Sequence, residues 1–351
     1  MPSSSVPIYF ILGVGRSGTT LLSQMLNANP YCLSTPERQF IMTFYNKYAH
    51  KQPLPLEQFL RDISRYYQLR SPHKKRNTNS VWHFDQAAFI HTLHNTASID
   101  YPKICRAFLL HTHYLQRNND TVQCIVDKNP NYTLYTQQLL TLFPDTRFIV
   151  TQRDYRAVWH SHLQSADNRY TNSIFLLLLW KHHYQHLLNL KQTIPHRLLW
   201  ISYEQLSAQP KINTQIICQY LGIPWHENML SSNKTLKQWA DKHSQTSDIT
   251  ARKHKKWNNL AQTTYTHQQQ SWRKHLSISQ IALADWLCGN IGKQLGYLPD
   301  TQLNKRQKMK LILSHLPQLI YGYLAYWIYA YYYYLPLQLR MMLIKYLKLQ
   351  R

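Results

Sequence analysis

Apolar positions along the chain keep two rhythms. Mainly apolar runs stand at Ile8–Leu12, 121–126, 147–152 and 197–202, each closing on a polar or glycine-rich turn. Runs of this length, rich in β-branched and aromatic residues, predict strands buried on both faces. Between them apolar residues recur at helical spacing. Leu21, Leu22, Met25 and Leu26 share one face after the first run, and 132–142, 155–165, 173–191 and 210–221 continue the pattern. Asn29-Pro30 ends the first helix and Gly222 the last. Strands alternating with helices predict an α/β fold, a parallel sheet flanked by helices, with ligands at the carboxyl edge of the strands.

Residues 38–120 interrupt the alternation. They read as a mainly helical, polar insertion with aromatics, a natural place for acceptor recognition, and 70–80 reads as an exposed basic loop. The chain divides on this pattern into a domain over 1–303 and a tail over 304–351. Within 316–339 there is no charge but eight tyrosines and Trp327, with Lys305 to Lys310 before and Arg340, Lys345 and Lys348 after. Such a Tyr-rich helical tail is long enough to span a bilayer, but tyrosine favours the headgroup zone and the basic flanks favour an anionic membrane surface. Packing on the domain or on a partner is the third reading.

Composition narrows the partners. With 40 Lys and Arg against 16 acidic residues, a formal charge of +24, the chain calls for anionic ligands. The charge is spread out and no zinc-finger or RNA-recognition signature occurs, so nucleic acid is not expected. Cys32, Cys105, Cys124, Cys218 and Cys288 form an odd set without C-x-x-C, in apolar surroundings. They predict buried free thiols, and with no leader pattern before the first strand they predict a cytoplasmic protein. His111/His113 and His182/His186 lack acidic or cysteine companions, so no metal is expected.

The candidate chemistry starts at Gly13-Val14-Gly15-Arg16-Ser17-Gly18-Thr19-Thr20-Leu21, between the first strand and helix. Free N–H groups at a helix start bind anions, and glycines let a ligand approach the backbone. A Walker loop has this glycine spacing but needs lysine where Thr19 stands. Gly13, Gly15 and Gly18 also fit the dinucleotide fingerprint, with Glu37 at the distance of its ribose acid. Prolines 30 and 36, however, break the second strand that such an acid should end. A phosphate loop of another kind is the third reading.

Polar groups follow every predicted strand: Arg16 to Thr20, then Lys128, then Arg153 and Asp154, then Tyr203. They would share one rim of the sheet. Arg153 and Ser161, eight residues apart, form a second phosphate grip, which suits a nucleotide carrying phosphates on both its 5′ and 3′ sides.

Here the chain resembles the PAPS-dependent sulfotransferases (PAPS is 3′-phosphoadenosine 5′-phosphosulfate), most of all the tyrosylprotein branch. Residues 13–21 are similar to the family's 5′-phosphosulfate loop. Residues 153–161, Arg-Asp-Tyr-Arg-Ala-Val-Trp-His-Ser, are similar to its 3′-phosphate motif. Asp127-Lys128-Asn129-Pro130, Tyr203-Glu204-Gln205-Leu206, Gly222-Ile223-Pro224-Trp225, Lys256-Trp257 and Leu295-Gly296-Tyr297 follow in the family's order.

The resemblance implies the P-loop-like sulfotransferase fold and PAPS as co-substrate without a metal. It implies that Arg16, Ser17, Gly18, Thr19, Thr20 and Leu21 bind the 5′-phosphosulfate and that Arg153 and Ser161 bind the 3′-phosphate. Tyr203 and Lys256 would touch the nucleotide, with Ser244 or Ser247 as further contacts. Glu37 aligns with the general base, His111 or His113 being the alternative, while Lys128 and Arg16 would neutralise charge on the sulfuryl group and leaving phosphate. Sulfuryl transfer, like phosphoryl transfer, is an in-line displacement catalysed by positioning and electrostatics, which side-chain cations can supply. The acceptor hydroxyl is left open among carbohydrate, lipid, small molecule and protein tyrosine, as is a homodimer. The readings from other classes are a non-catalytic nucleotide- or anion-binding protein and an NAD-dependent oxidoreductase.

Overall fold

The computed structural model describes residues 6–35, 37–70, 83–96, 99–113, 121–164, 173–231 and 270–346. Ser244, Ser247, Lys256, Trp257 and nearly all of the basic loop over 70–80 lie outside these residues.

Five strands form one parallel sheet: β1 (Ile8–Leu12), β2 (Cys32–Thr35), β5 (Cys124–Lys128), β6 (Phe148–Gln152) and β7 (Leu198–Ser202), in the order β2-β5-β1-β6-β7. A second, antiparallel pair, β3 (His83–Phe84) and β4 (Thr112–His113), sits in the insertion. β1 is central because all its side chains are apolar and both sheet faces are covered. Ile8, Phe10 and Leu12 enter the larger core, while Tyr9 and Ile11 enter a smaller one with Leu21, Leu22 and Leu26 of the helix Thr19–Asn27. Each such fully buried side chain contributes about 1.5–3 kcal/mol.

Two local expectations are corrected. Cys32–Thr35 is a strand, although prolines flank it. As an edge strand it needs a ladder on one side only, which β5 supplies in the register Cys32↔Cys124 to Thr35↔Asp127. The run expected over 121–126 continues to Lys128, because Phe10↔Asp127 and Ile11↔Lys128 extend the ladder. The polar turn therefore starts two residues later than its composition implies.

The finding of β2 removes the sequence argument against a dinucleotide fold, but the strand order replaces it. By rank along the chain the order is 2-3-1-4-5, whereas the dinucleotide fold runs 3-2-1-4-5.

The insertion is built of helices Phe40–Tyr48, Leu56–Arg70, Gln86–His94 and Tyr101–Leu110. Its aromatics turn inward: Phe40 and Phe108 stack at 3.8 Å, and Phe44, Tyr48 and Phe59 meet edge to face around them. The tail is docked as well. Helix Leu316–Tyr331 lies along helix Ser173–Thr193, burying Leu319, Gly322 and Tyr326. A Cβ on Gly322 would stand 2.8 Å from Ile174 Cγ2, so glycine is what lets the two helices approach. Among the described residues no helix is long and apolar enough to cross a membrane.

Candidate active site

The turn after β1 is shaped by its main chain. Gly13 has φ 133°, and a Cβ there would lie 2.5 Å from the Thr151 carbonyl oxygen. Gly18 has φ 92°, and a Cβ there would lie 2.7 Å from Tyr203 Cδ2. The Thr133 hydroxyl accepts from Gly13 N–H at 3.0 Å and donates to Gly13 O at 2.9 Å. His183 Nδ1 lies 3.0 Å from the same carbonyl and donates to it. Burial pushes His183 down to about 3, so the ring stays neutral and the contact persists across ordinary pH.

Ser17 is turned away from the rim. Its hydroxyl donates to Val14 O at 2.6 Å, lies 3.0 Å from Thr151 Oγ1, and is fully buried. Leu21 points into the core and Thr19 is buried, while Thr20 is half-buried. What 17–21 offer a ligand is therefore mainly backbone. Gly18 caps the helix without a side-chain bond, and the first helical bond is Leu22 N–H to Gly18 O. The N–H groups of Thr19, Thr20 and Leu21 precede it and have no acceptor within the helix, as an anion site requires.

The second grip closes against the first. Arg16 adopts φ 71°, the sole non-glycine residue with positive φ among the described residues. Its Nε donates to Ser161 Oγ at 3.0 Å, and its carbonyl accepts from an Arg153 terminal nitrogen at 3.0 Å. The Arg153 guanidinium lies 4.2 Å over the Tyr203 ring, and its buried Nε has no hydrogen-bond partner. Arg153 is 7% exposed. Burial lowers the Arg16 guanidinium from its ordinary value, and the Arg153 charge lowers it further. Two neighbouring like charges, Arg153 buried and Arg16 half-buried, with an unsatisfied donor, fit an anion held between them. Arg16 is thus seated at Ser161, in the second grip, whereas its sequence position put it with the first. Tyr203 is 95% buried, serving as the platform under Arg153 and the wall against Gly18.

The third group stands past β5 and β2. Lys128 Nζ donates to Glu37 Oε2 at 2.9 Å, with the lysine side chain 5% exposed and the glutamate 44%. Behind them lies Asp127, fully buried, which the sequence reading did not single out. Thr35 Oγ1 and Asn129 Nδ2 donate to its Oδ1 at 2.9 and 2.7 Å, and Oδ2 has no partner. Burial pushes its carboxyl up to about 7 against those two bonds. Its sequence signal was its place in the Asp127-Lys128-Asn129-Pro130 segment, which reads as a polar turn and not as the end of a buried strand.

A sequence profile of the sulfotransferase family matches residues 7–227, more than half of the chain. The chain belongs to the sulfotransferase family. Protein-tyrosine sulfotransferase 2 of Gallus gallus is 26% identical over 243 residues, which cover 65% of this chain and 54% of that one. Protein-tyrosine sulfotransferase of Drosophila melanogaster is 24% identical over 233 residues, covering 64% of this chain and 40% of that one. The chain thus spans about half the length of these relatives. The sulfotransferase domain from the curacin biosynthetic pathway superposes with a TM-score of 0.53 at 18% identity, covering 84% of this chain and 99% of that domain, a likeness of fold.

In this sulfotransferase Arg156, the other arginine of the 153–161 motif, is structural. It pairs with Asp154 at 2.8 Å, Asp300 at 3.0 Å and Asp285 at 3.5 Å, and lies 4.2 Å over Trp272. Glu204 accepts from Tyr297 OH at 3.1 Å and from Asp154 N–H at 3.4 Å, bracing the turn that carries Arg153. Three of the other histidines are held within the fold. His111 Nε2 meets Thr92 Oγ1 at 2.9 Å in the insertion, His182 stacks on Tyr326, and His186 Nε2 meets Thr136 Oγ1 at 2.7 Å.

Proposed function

We propose that this sulfotransferase moves a sulfuryl group from PAPS to a hydroxyl acceptor, with its own residues in divided roles. PAPS supplies the sulfuryl group and, as leaving group, a phosphate. The N–H groups of Thr19, Thr20 and Leu21 would hold the 5′ end, and Arg153, Ser161 and Arg16 the 3′-phosphate. Lys128 would bear on the charge that develops around the transferring sulfur, and Glu37 would take the acceptor's proton once that hydroxyl displaces the lysine from its carboxylate. Asp127 holds the two strand ends in register and is a positioning residue.

The observation that carries this reading is the continuity of the two grips. One residue, Arg16, accepts from Arg153 through its carbonyl and reaches Ser161 through its side chain. A non-catalytic anion binder would need the same grips but not the Lys128–Glu37 pair beside them.

The relatives' names favour protein tyrosine among the acceptors; carbohydrates, lipids and small phenols are the competing hydroxyls. All five cysteines are free and buried, which supports the cytoplasm as the compartment. The test is transfer of labelled sulfate from PAPS to a panel containing a tyrosine peptide, a phenol, a glycan and a lipid alcohol. Incorporation into at least one member, abolished in Glu37→Gln, supports the proposal; PAP binding with no transfer to the panel or to cell extracts contradicts it.

A further inference from the structure

The tail helix Leu316–Tyr331 has two unlike faces. Leu319, Gly322 and Tyr326 are buried against the domain. On the opposite side Ile320, Leu324, Trp327, Ile328 and Tyr331 follow helical spacing, and Ile320, Leu324 and Ile328 are 63%, 58% and 61% exposed. Trp327 and Tyr331 stack at 5.5 Å, so the aromatic part of this face is pre-arranged. A contiguous stripe of large apolar and aromatic side chains in water marks a contact surface.

Charge decides what the contact is. From residue 301 to 351 the sequence holds no Asp or Glu and eight Lys or Arg. Helix Lys305–Ser314 leads directly into the stripe, buries none of its residues, and displays Lys305, Arg306, Lys308 and Lys310 to solvent. A second copy placed face to face would bring a like-charged segment against this one. An anionic lipid surface complements both features. Lys and Arg meet headgroup phosphates, Trp and Tyr sit at the headgroup level, and Ile and Leu enter the acyl boundary. The helix has 16 residues, about 24 Å at 1.5 Å per residue against a hydrocarbon thickness of about 30 Å, and its inner face is already covered.

We propose that the outer face of Leu316–Tyr331, with the basic helix before it, is the surface by which this protein seats on an anionic bilayer, lying in the interface plane. The same helix is tied to the catalytic rim. Tyr329 OH donates to Asn131 Oδ1 at 2.8 Å, three residues past Lys128, and just beyond the helix's end Tyr333 O accepts at 2.7 Å from Asn46 Nδ2 of the helix that follows Glu37. The seated face and the site are therefore joined by hydrogen bonds.

The test is co-sedimentation of the full chain with vesicles of phosphatidylcholine alone or with about 30 mol% phosphatidylserine. It needs no sulfuryl transfer and stands apart from the enzymatic reading. The expected result is binding at least roughly tenfold tighter to the anionic vesicles, weakened as salt rises from about 0.1 to about 0.5 M. The doubly substituted I320E/I328E, both positions being exposed, should keep its Tm and bind roughly tenfold or more weakly. No binding to anionic vesicles overturns the proposal. So does binding that I320E/I328E leaves unchanged, which assigns it to net charge alone. A dimer seen by light scattering, dispersed by I320E/I328E and without vesicle binding, gives the face to a second copy and overturns it as well.

Discussion

Arg16 holds a left-handed backbone, which costs a residue with a Cβ about 1–2 kcal/mol. The strain has a visible result: carbonyl and guanidinium are both delivered to the Arg153–Ser161 side of the rim. That arrangement could not be read from the loop's spacing, because spacing does not say that Arg16 reverses its φ. Ser17 went astray for the same reason, since a buried hydroxyl bonded to Val14 O looks identical in sequence to one facing a ligand. Lys128 was legible as a single residue following a predicted strand, and Glu37 through the resemblance to the family's base segment. Their 2.9 Å contact was not, because 91 residues separate them. Glu37→Gln is expected to keep PAP affinity and lose about 10²–10⁴-fold in turnover, the range for a general base; steady-state kinetics beside a PAP titration checks it. Asp127 gives a pH signature. Burial raises it from its ordinary value of 3.8 to about 7 in the folded protein, so stability present below about pH 4 is lost as pH rises towards 7. Asp127→Asn removes that loss, worth up to about 4 kcal/mol. Its Tm relative to the parent should therefore rise more at pH 8 than at pH 5, and an equal difference at both pH values would refute the assignment.

At the level of elements, the apolar runs located β1, β6 and β7 nearly to the residue, since β1 is apolar and buried throughout and β6 and β7 turn polar only at their carboxyl ends. β2 escaped notice because it is four residues long and flanked by prolines, which an edge strand tolerates. The helix Tyr155–Leu163 owes its position to Arg156. Three carboxylates from its own N-cap, from helix Ile278–Gln294 and from Asp300 converge on that guanidinium. Arg156→Ala removes the cation from the buried Asp285 and from Asp154, and should cost about 3–5 kcal/mol in a denaturant titration. Gly18→Ala tests the loop. With φ 92° and Tyr203 at 2.7 Å from the new Cβ, it should lower stability by about 1–3 kcal/mol and weaken PAP along with it.

Over the whole molecule, the +24 charge is a long-range attractor for a small polyanion. The KM for PAPS should accordingly rise with ionic strength while kcat changes little, as initial rates across a salt series would record. The strand order also works at this scale, since 2-3-1-4-5 brings the ends of β5, β1 and β6 side by side. Sequence motifs far apart in the chain thereby become one rim, which the alternating pattern implied without giving the order. The central claim is that one nucleotide bridges two adjoining anion grips, and calorimetric titration of PAP and adenosine 5′-phosphosulfate against the parent and Arg153→Ala tests it directly. The parent should prefer PAP by about 10–100-fold, the worth of a charged hydrogen bond or two, and Arg153→Ala should erase that preference while binding adenosine 5′-phosphosulfate nearly as before. An equal loss for both ligands would contradict the account.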